Sequence, residues 1–298
     1  MTTTFSRRRI NLRFTLGRGD FGAAGEDAVE LTGYRVSATI DKTGGVSFTT
    51  TNLRVWGLPL DVMNKLIILG RGIAQNARER NTVTISAGDD ESGLSVVFVG
   101  NIIECWADFN SSPEVCLNVF ASAGYVDKLK PVPPTSYKGT VDARTVMAGI
   151  AAQMSPPVPL EDGGVDVKLS NPYYPGTLWD QALDCAREGQ FNLFLDDTVL
   201  AIWPRGGSRG GLIPDIGPDT GLVGYPAHTQ GGIEFTTLFN PSIVFGGRVK
   251  LRSILSPVIG DTWTPAIVTH ELEAEMPNGK WFTNVQCFLL DQPTYVGR

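Results

Sequence analysis

Apolar residues recur at every second position through much of this chain, and that period limits its fold more than any other feature. Ile10, Leu12, Phe14 and Leu16 alternate with polar neighbours, as do Tyr34, Val36, Ala38 and Ile40, and later Val115, Leu117 and Val119. A strand turns successive side chains to opposite faces, so this alternation predicts strands with one buried face. Turn signals separate the runs, among them Lys42-Thr43-Gly44-Gly45 and Gly88-Asp89-Asp90-Glu91-Ser92-Gly93. Glycine and proline support the same reading: 34 glycines and 19 prolines are about 18% of 298 residues, against a usual ~12%. One helical stretch interrupts the strands, with Pro59 at its start and Leu60, Met63, Leu66 and Ile67 at helical spacing. Residues 1–130 are therefore expected to form a β-barrel crossed by one helix, since an open sheet would leave edges in need of cover.

Pro131, Pro133 and Pro134 mark a boundary, and the period then changes. Asp142 is placed to cap a helix with Val146, Met147, Ile150 and Met154 on its inner face. A strand is expected over Val165, Val167 and Leu169, and then a second helix opened by the capping-box spacing Thr177-Leu178-Trp179-Asp180. That helix carries Leu178, Ala182, Cys185 and Ala186 on one face and stops near Gly189. A hairpin follows: Phe191, Leu193 and Leu195, a turn at Asp196-Asp197, then Val199, Ala201 and Trp203. Residues 131–210 read as an α+β insert, and 211–298 return to strands. The fold class is thus mainly β, with two barrel-like domains, 1–130 and 211–298, flanking a small α+β domain.

The last segment weakly echoes the first. Asn81-Thr82-Val83-Thr84-Ile85 resembles Gly247-Arg248-Val249-Lys250-Leu251, and Val97-Phe98-Val99 with Ile103-Glu104 parallels Ile267-Val268 with Leu272-Glu273. Each is followed by a turn and by a strand near a cysteine, Cys116 or Cys287. Either a duplication or the general likeness of strands accounts for the echo.

Several function classes are set aside by what the chain lacks. Its formal net charge of −6 argues against a nucleic-acid binder that relies on phosphate contacts. The four cysteines, Cys105, Cys116, Cys185 and Cys287, form no C-x-x-C pair and read as buried reduced thiols. Arg7-Arg8-Arg9 is followed by alternation in place of an apolar leader, so synthesis in the cytoplasm is expected and stable membrane association is not. The arginines, with Arg13, suit a solvated N-terminal arm or contact with phosphate or an acidic partner. Gly17-Arg18-Gly19-Asp20-Phe21-Gly22 matches G-x-G-x-x-G but lies between strand patterns, without the helix start that would offer N–H groups to a pyrophosphate. It reads as a loop, and the Arg18-Gly19-Asp20 tripeptide within it carries no weight. His228 and His270 are the only histidines, too few for common zinc sites or a Ser-His-Asp arrangement, and His270 reads as structural. Asp89-Asp90 and Asp196-Asp197 read first as turn residues. The six tryptophans are scattered, as core or subunit contacts are. No catalytic, cofactor-binding or metal-ligating residue is assigned, and no cofactor is expected.

The layout resembles the baseplate hub, or tail hub, proteins of tailed bacteriophages, contractile-tailed ones especially. The resemblance runs through Val29-Glu30-Leu31-Thr32-Gly33-Tyr34, Leu53-Arg54-Val55-Trp56-Gly57-Leu58 and the short helix at Met63. It continues through Asn81 to Gly88 and Val97-Phe98-Val99-Gly100-Asn101-Ile102. Toward the other end it includes Thr220-Gly221-Leu222-Val223-Gly224-Tyr225-Pro226, Phe239 to Gly247 and Val268-Thr269-His270-Glu271-Leu272. These patterns are loose and mainly apolar, and the likeness lies in their order. The middle segment is similar to the small α+β ring modules of secretins.

The resemblance implies a non-enzymatic virion protein, a homotrimer whose two tube-like domains per subunit make a pseudo-sixfold ring. Such a ring joins a sixfold tail tube to a threefold central spike and passes DNA through its lumen. The implied partners are the tail tube or tail-end protein, the central spike protein, the tape-measure protein and the baseplate wedge proteins, with assembly in the host cytoplasm. Spike and wall-digesting segments of fused hub–spike proteins are not recognised in this sequence and are expected on a separate chain. Two alternatives remain: a component of a related contractile or secretin-type secretion machine, and a β-rich carbohydrate-binding tail protein.

Overall fold

The computed structural model describes residues 6–17, 20–21, 26–44, 48–67, 81–110, 112–229, 231–253 and 262–288. In chain order the first strands are β1 (Arg8–Thr15), β2 (Ala28–Leu31), β3 (Arg35–Thr43) and β4 (Thr50–Trp56), followed by helix α1 (Leu60–Leu66). Strands β5 (Thr82–Asp89), β6 (Gly93–Asp108) and β7 (Cys116–Ser122) come next, then the short helix α2 (Tyr125–Leu129). The middle holds β8 (Thr135–Ser136), β9 (Thr140–Asp142), helix α3 (Ala143–Ala151), β10 (Leu160–Asp162), β11 (Lys168–Ser170) and β12 (Tyr173–Tyr174). Helix α4 (Leu178–Gly189) and the hairpin β13 (Phe191–Asp196) and β14 (Val199–Pro204) complete it. The last strands are β15 (Asp215–Ile216), β16 (Leu222–Thr229), β17 (Gly232–Leu238), β18 (Val249–Leu251), β19 (Thr262–Ala274) and β20 (Trp281–Phe288). The fold is mainly β.

The chain divides into two compact units, each built from separate stretches of sequence. The first takes Met1–Asp41, Thr50–Ala123 and His270–Phe282. In it the strand order is β19-β3-β4-β7-β6-β5-β1-β2, and the pairings from β3 to β2 are all antiparallel. Alternation does here what the sequence predicts. Ile10, Leu12 and Phe14 of β1 are buried with Val36, Ala38 and Ile40 of β3, Leu53 and Val55 of β4, and Val83 and Ile85 of β5. Helix α1 adds Met63 and Leu66 to the buried set. The β5–β6 hairpin needs glycine at position 88, where a Cβ would run into the carbonyl oxygen of Gly93.

The second unit takes Lys42–Thr49, Gly124–Thr269 and Thr283–Arg298. One of its sheets runs β16-β17-β20-β19, with β18 on β19 and β15 on β18. Ile233, Phe235, Val249, Leu251, Trp263, Val268 and Val285 form its core. Three further small sheets pair β10 with β14 and β14 with β13, β11 with β9, and β12 with β8. Against these lie α3, burying Val146, Met147 and Ile150, and α4, burying Leu178, Ala182, Cys185 and Ala186.

Thr177 caps α4 as its spacing predicts: Asp180 N–H donates to Thr177 Oγ1 at 3.1 Å and Thr177 N–H donates to Asp180 Oδ2 at 3.2 Å. The helix stops one residue beyond Gly189, on Gln190 in the left-handed region. Asp142 stands at the start of α3, but its side chain makes no capping bond. Met154 is buried beyond the end of α3, which closes at Ala151. The strand expected at Val165 is shorter and starts at Lys168. In the β13–β14 hairpin Asp196 pairs with Val199, so the turn falls on Asp197 and Thr198.

The two echoing stretches fold alike in one respect: β5, β6 and β7 are neighbours in that order, and so are β18, β19 and β20. No pairing among the described residues closes either unit's strands into a ring. The order runs out at β2 in the first unit and at β16 in the second.

Candidate functional site

Among the described residues the densest gathering of charge lies in the second unit, most of it out of water. Lys42, at the end of β3, donates through Nζ to Asp196 Oδ1 at 3.0 Å and to Asp197 Oδ2 at 2.5 Å. Arg209, in the loop after β14, donates through Nη1 to the other oxygen of Asp196 at 2.7 Å. Its Nε and Nη2 reach the two carboxylate oxygens of Glu161 on β10 at 2.9 and 2.6 Å, a fork-on-fork pair. The side chains of Lys42, Asp196 and Arg209 are 5%, 7% and 4% exposed, so these charges rely on each other instead of on solvent. Burial works against each charge. Even so, Asp197 and Asp196 hold the Lys42 ammonium above its ordinary value, and Lys42 and Arg209 hold the Asp196 carboxyl well below its own. Phe194 stacks on Phe245 beside the cluster at 4.3 Å, and the Phe245 carbonyl takes a further bond from Arg209 Nη1 at 3.3 Å.

A second polar assembly organises the start of the same unit. Gln181 of α4 is fully buried. Its Oε1 accepts from the Thr135 hydroxyl at 2.7 Å and the Thr135 N–H at 3.2 Å, and its Nε2 donates to the carbonyls of Pro133 and Gly176, both at 3.2 Å. The proline-marked segment is thereby fixed by hydrogen bonds to a helix.

The first unit carries a polar cavity of about 220 Å³ lined by Ser37, Thr39, Asn52, Arg54, Glu271 and Lys280, among others. Lys280 Nζ donates to Glu271 at 2.7 Å, while Glu273 accepts from the Ser37 hydroxyl at 3.3 Å and the Lys280 N–H at 2.9 Å. These acids are engaged by their own chain.

The residues singled out in the sequence are distributed as follows. Arg8 and Arg9 belong to β1, so the basic cluster is part of a sheet and not an arm. Each arginine has a partner: Arg7 on Glu275 at 2.6 Å, Arg8 on the Gly279 carbonyl at 2.9 Å, Arg9 on Asp90 at 2.5 Å and Arg13 on Glu30 at 3.1 Å. Arg18, Gly19 and Gly22 of the glycine motif lie outside the described residues, while the Gly17 N–H donates to Asn81 Oδ1 at 2.9 Å. His270 is buried in β19 and His228 is exposed on β16. Asp89 serves its turn by accepting from the N–H groups of Glu91 and Ser92. All four cysteines are free and buried, and burial pushes the Cys105 and Cys185 thiols up to about 12, which leaves them inert at neutral pH. Trp179, Trp203 and Trp263 are core residues; Trp106 is 43% exposed. Among the described residues no three metal-ligating side chains gather, and no helix is long and apolar enough to cross a membrane. Lys42 was marked only as the first residue of a turn signal, whereas it is buried near the end of β3; Arg209 and Gln181 were not marked by any sequence signal.

With the geometry in view, the fold is similar to those of several tail proteins. The 43 kDa tail protein of prophage MuSo2 from Shewanella oneidensis superposes with a TM-score of 0.58 at 9% identity, covering 95% of this chain and 97% of that one. A tail protein from Neisseria meningitidis MC58 gives 0.56 at 10% identity, covering 94% and 96%. The E. coli c3393 protein, a component of the type VI secretion system described as structurally similar to T4 tail proteins gp27 and gp5, gives 0.53 at 9% identity, covering 96% and 75%. No curated protein matches in sequence. The class so defined is the tail-protein fold. Within it, residues 35–285 match the family described as Baseplate hub gp41, and this chain belongs to that family.

Proposed function

We propose that this chain is a structural component of a phage tail: a trimeric baseplate hub that joins a sixfold tail tube to a threefold central spike and lines the DNA channel. The observation that carries this reading is the family match over residues 35–285. On this reading residues 1–130 and 211–298 form two tube-like domains that complete rings across subunits, and 131–210 decorate the outside. Three subunits with two such domains each match a sixfold tube while keeping threefold symmetry toward the spike. Closure across subunits would also cover the edges at β2 and β16, which among the described residues pair on one side only.

The role is one of assembly without catalysis. Its partners are tail tube or tail-end, central spike, tape-measure and wedge proteins, met in the host cytoplasm and kept in the virion. A channel without excess positive charge lets a polyanion slide, consistent with the net charge of −6. The likeness to the E. coli type VI component supports a second reading, the same architecture at work in a contractile secretion machine.

The test is the mass of the purified protein by cross-linking and electron microscopy, alone and with its spike partner. Threefold rings with six similar lobes are expected. A species that stays monomeric in both conditions would falsify the proposal.

A further inference from the structure

The lining of the first unit's cavity comes from the face of the sheet turned away from its core. Ser37 and Thr39, Asn52 and Arg54, and Glu271 and Glu273 each alternate along their strands with buried residues. Strand pairing extends this face in rows. Ser37 pairs with Arg54, Arg54 with Asn118 and Asn118 with Trp106, so one row crosses β3, β4, β7 and β6. Thr39, Asn52, Phe120 and Glu104 make the next row. Directly paired residues share a face, and two strand spacings put Trp106 about 10 Å from Arg54. A polar hollow thus lies along one face with an indole that is 43% exposed.

What the hollow can hold follows from which of its groups are already engaged. Glu271 has Lys280 Nζ at 2.7 Å, and Glu273 accepts from the Ser37 hydroxyl and the Lys280 N–H. Arg54 and Asn52 are exposed, and among the described residues no hydrogen bond or ion pair engages their side chains. They offer a planar fork of donors and an amide that both donates and accepts, and Thr39 adds a hydroxyl. Charge in the lining is balanced, Arg54 and Lys280 against Glu271 and Glu273. A charged ligand of either sign would bring a surplus. The apolar residues of the lining, Ala38 and Leu272, are buried, so the hollow gives a methyl group little to rest on. Its complement is a neutral molecule rich in hydroxyls, each of which donates and accepts. A volume of about 220 Å³ admits far more than one water. A hexose ring has these hydroxyls and also an apolar C–H face, which suits the flat indole of Trp106.

We propose that this face binds a neutral oligosaccharide of unsubstituted hexoses, with one ring in the hollow at Arg54 and Asn52 and a neighbouring ring on Trp106. The site lies within the first unit and adds to the hub role without resting on it.

Isothermal titration of the full chain with maltohexaose, cellohexaose and mannohexaose tests the proposal, with chitohexaose and polygalacturonate as the acetylated and acidic comparisons. At least one neutral hexose oligomer is expected to bind with Kd below ~1 mM, and more tightly than either comparison. Arg54→Ala and Trp106→Ala should each weaken that binding at least ~10-fold. Tyr225→Ala, which removes an exposed aromatic of the second unit, should leave it unchanged. The proposal is overturned if none of the three neutral oligomers binds, if a comparison polymer binds tighter, or if both first-unit variants bind as the native chain does. Should those variants fail to fold, the native chain decides through its indole N–H resonances. One of the six moving with added sugar supports the site, and none moving overturns it. These readings need no particular oligomeric state, so a monomeric result in the assembly test leaves the inference standing.

Discussion

Arg209 is the residue on which most of the buried charge depends. Removing one partner of a buried pair strands the other, at a cost of about 3–5 kcal/mol. Arg209→Met leaves Asp196 with Lys42 alone and should lower stability by that amount in urea denaturation at neutral pH. Glu161 is 36% exposed, so water takes over part of its role, and Glu161→Gln should cost under ~1 kcal/mol. The two variants also differ in acid. Asp196 is held low by Lys42 and Arg209 once burial has been overcome. A carboxyl lowered on folding gives stability that is full above ~3.9 and lost as pH falls toward its folded value. Arg209→Met should therefore move the onset of acid unfolding to higher pH, followed by tryptophan fluorescence, while Glu161→Gln moves it little.

None of this cluster was legible in the sequence. Lys42 sits in a Lys-Thr-Gly-Gly run that reads as a solvated turn, and its acidic partner Asp196 is 154 residues away. Asp196-Asp197 reads as a turn from composition, and the turn exists; what composition does not carry is that the hairpin around it is buried throughout β13. Pairs set by folding leave no local mark.

Elements tell the opposite story, because their causes are local. The Thr177–Asp180 box fixes the start of α4 through two reciprocal bonds, and its spacing is visible in the chain. Asp142 has the right residue type at the start of α3 but no capping bond. Thr177→Ala should thus cost ~1 kcal/mol, and Asp142→Ala should stay within ~0.5 kcal/mol, both read by thermal or urea unfolding. The contrast shows the limit of a cap read from residue type: a side chain reaches the N–H groups of its helix only if nothing else turns it away. Strand periods held well where one face is buried, as in β1, β3 and β4. They fail to distinguish β13, where every residue is buried, from a strand with one wet face.

For the whole molecule, family membership was legible from the order of loose apolar patterns, since order persists where identity does not. The expectation of a closed barrel went further than the period allows, because a period of two fixes which face is buried and says nothing about closure, and among the described residues no pairing closes the strands. Charge gives the molecule-scale prediction. If the chain lines a DNA channel as proposed, its net charge of −6 should keep it from retaining duplex DNA at ~150 mM salt, a point checked by fluorescence anisotropy; tight, steeply salt-dependent binding would contradict the sliding-channel part of the proposal.

The first unit draws its strand beside β3 from the stretch His270–Phe282, although its other two stretches end by Ala123. Residues 270–274 must consequently leave the ribosome before that unit can be finished, and until then the flank of β3 has no strand from its own unit beside it. Drawing one compact body from distant stretches of a message postpones its completion until the later stretch has emerged.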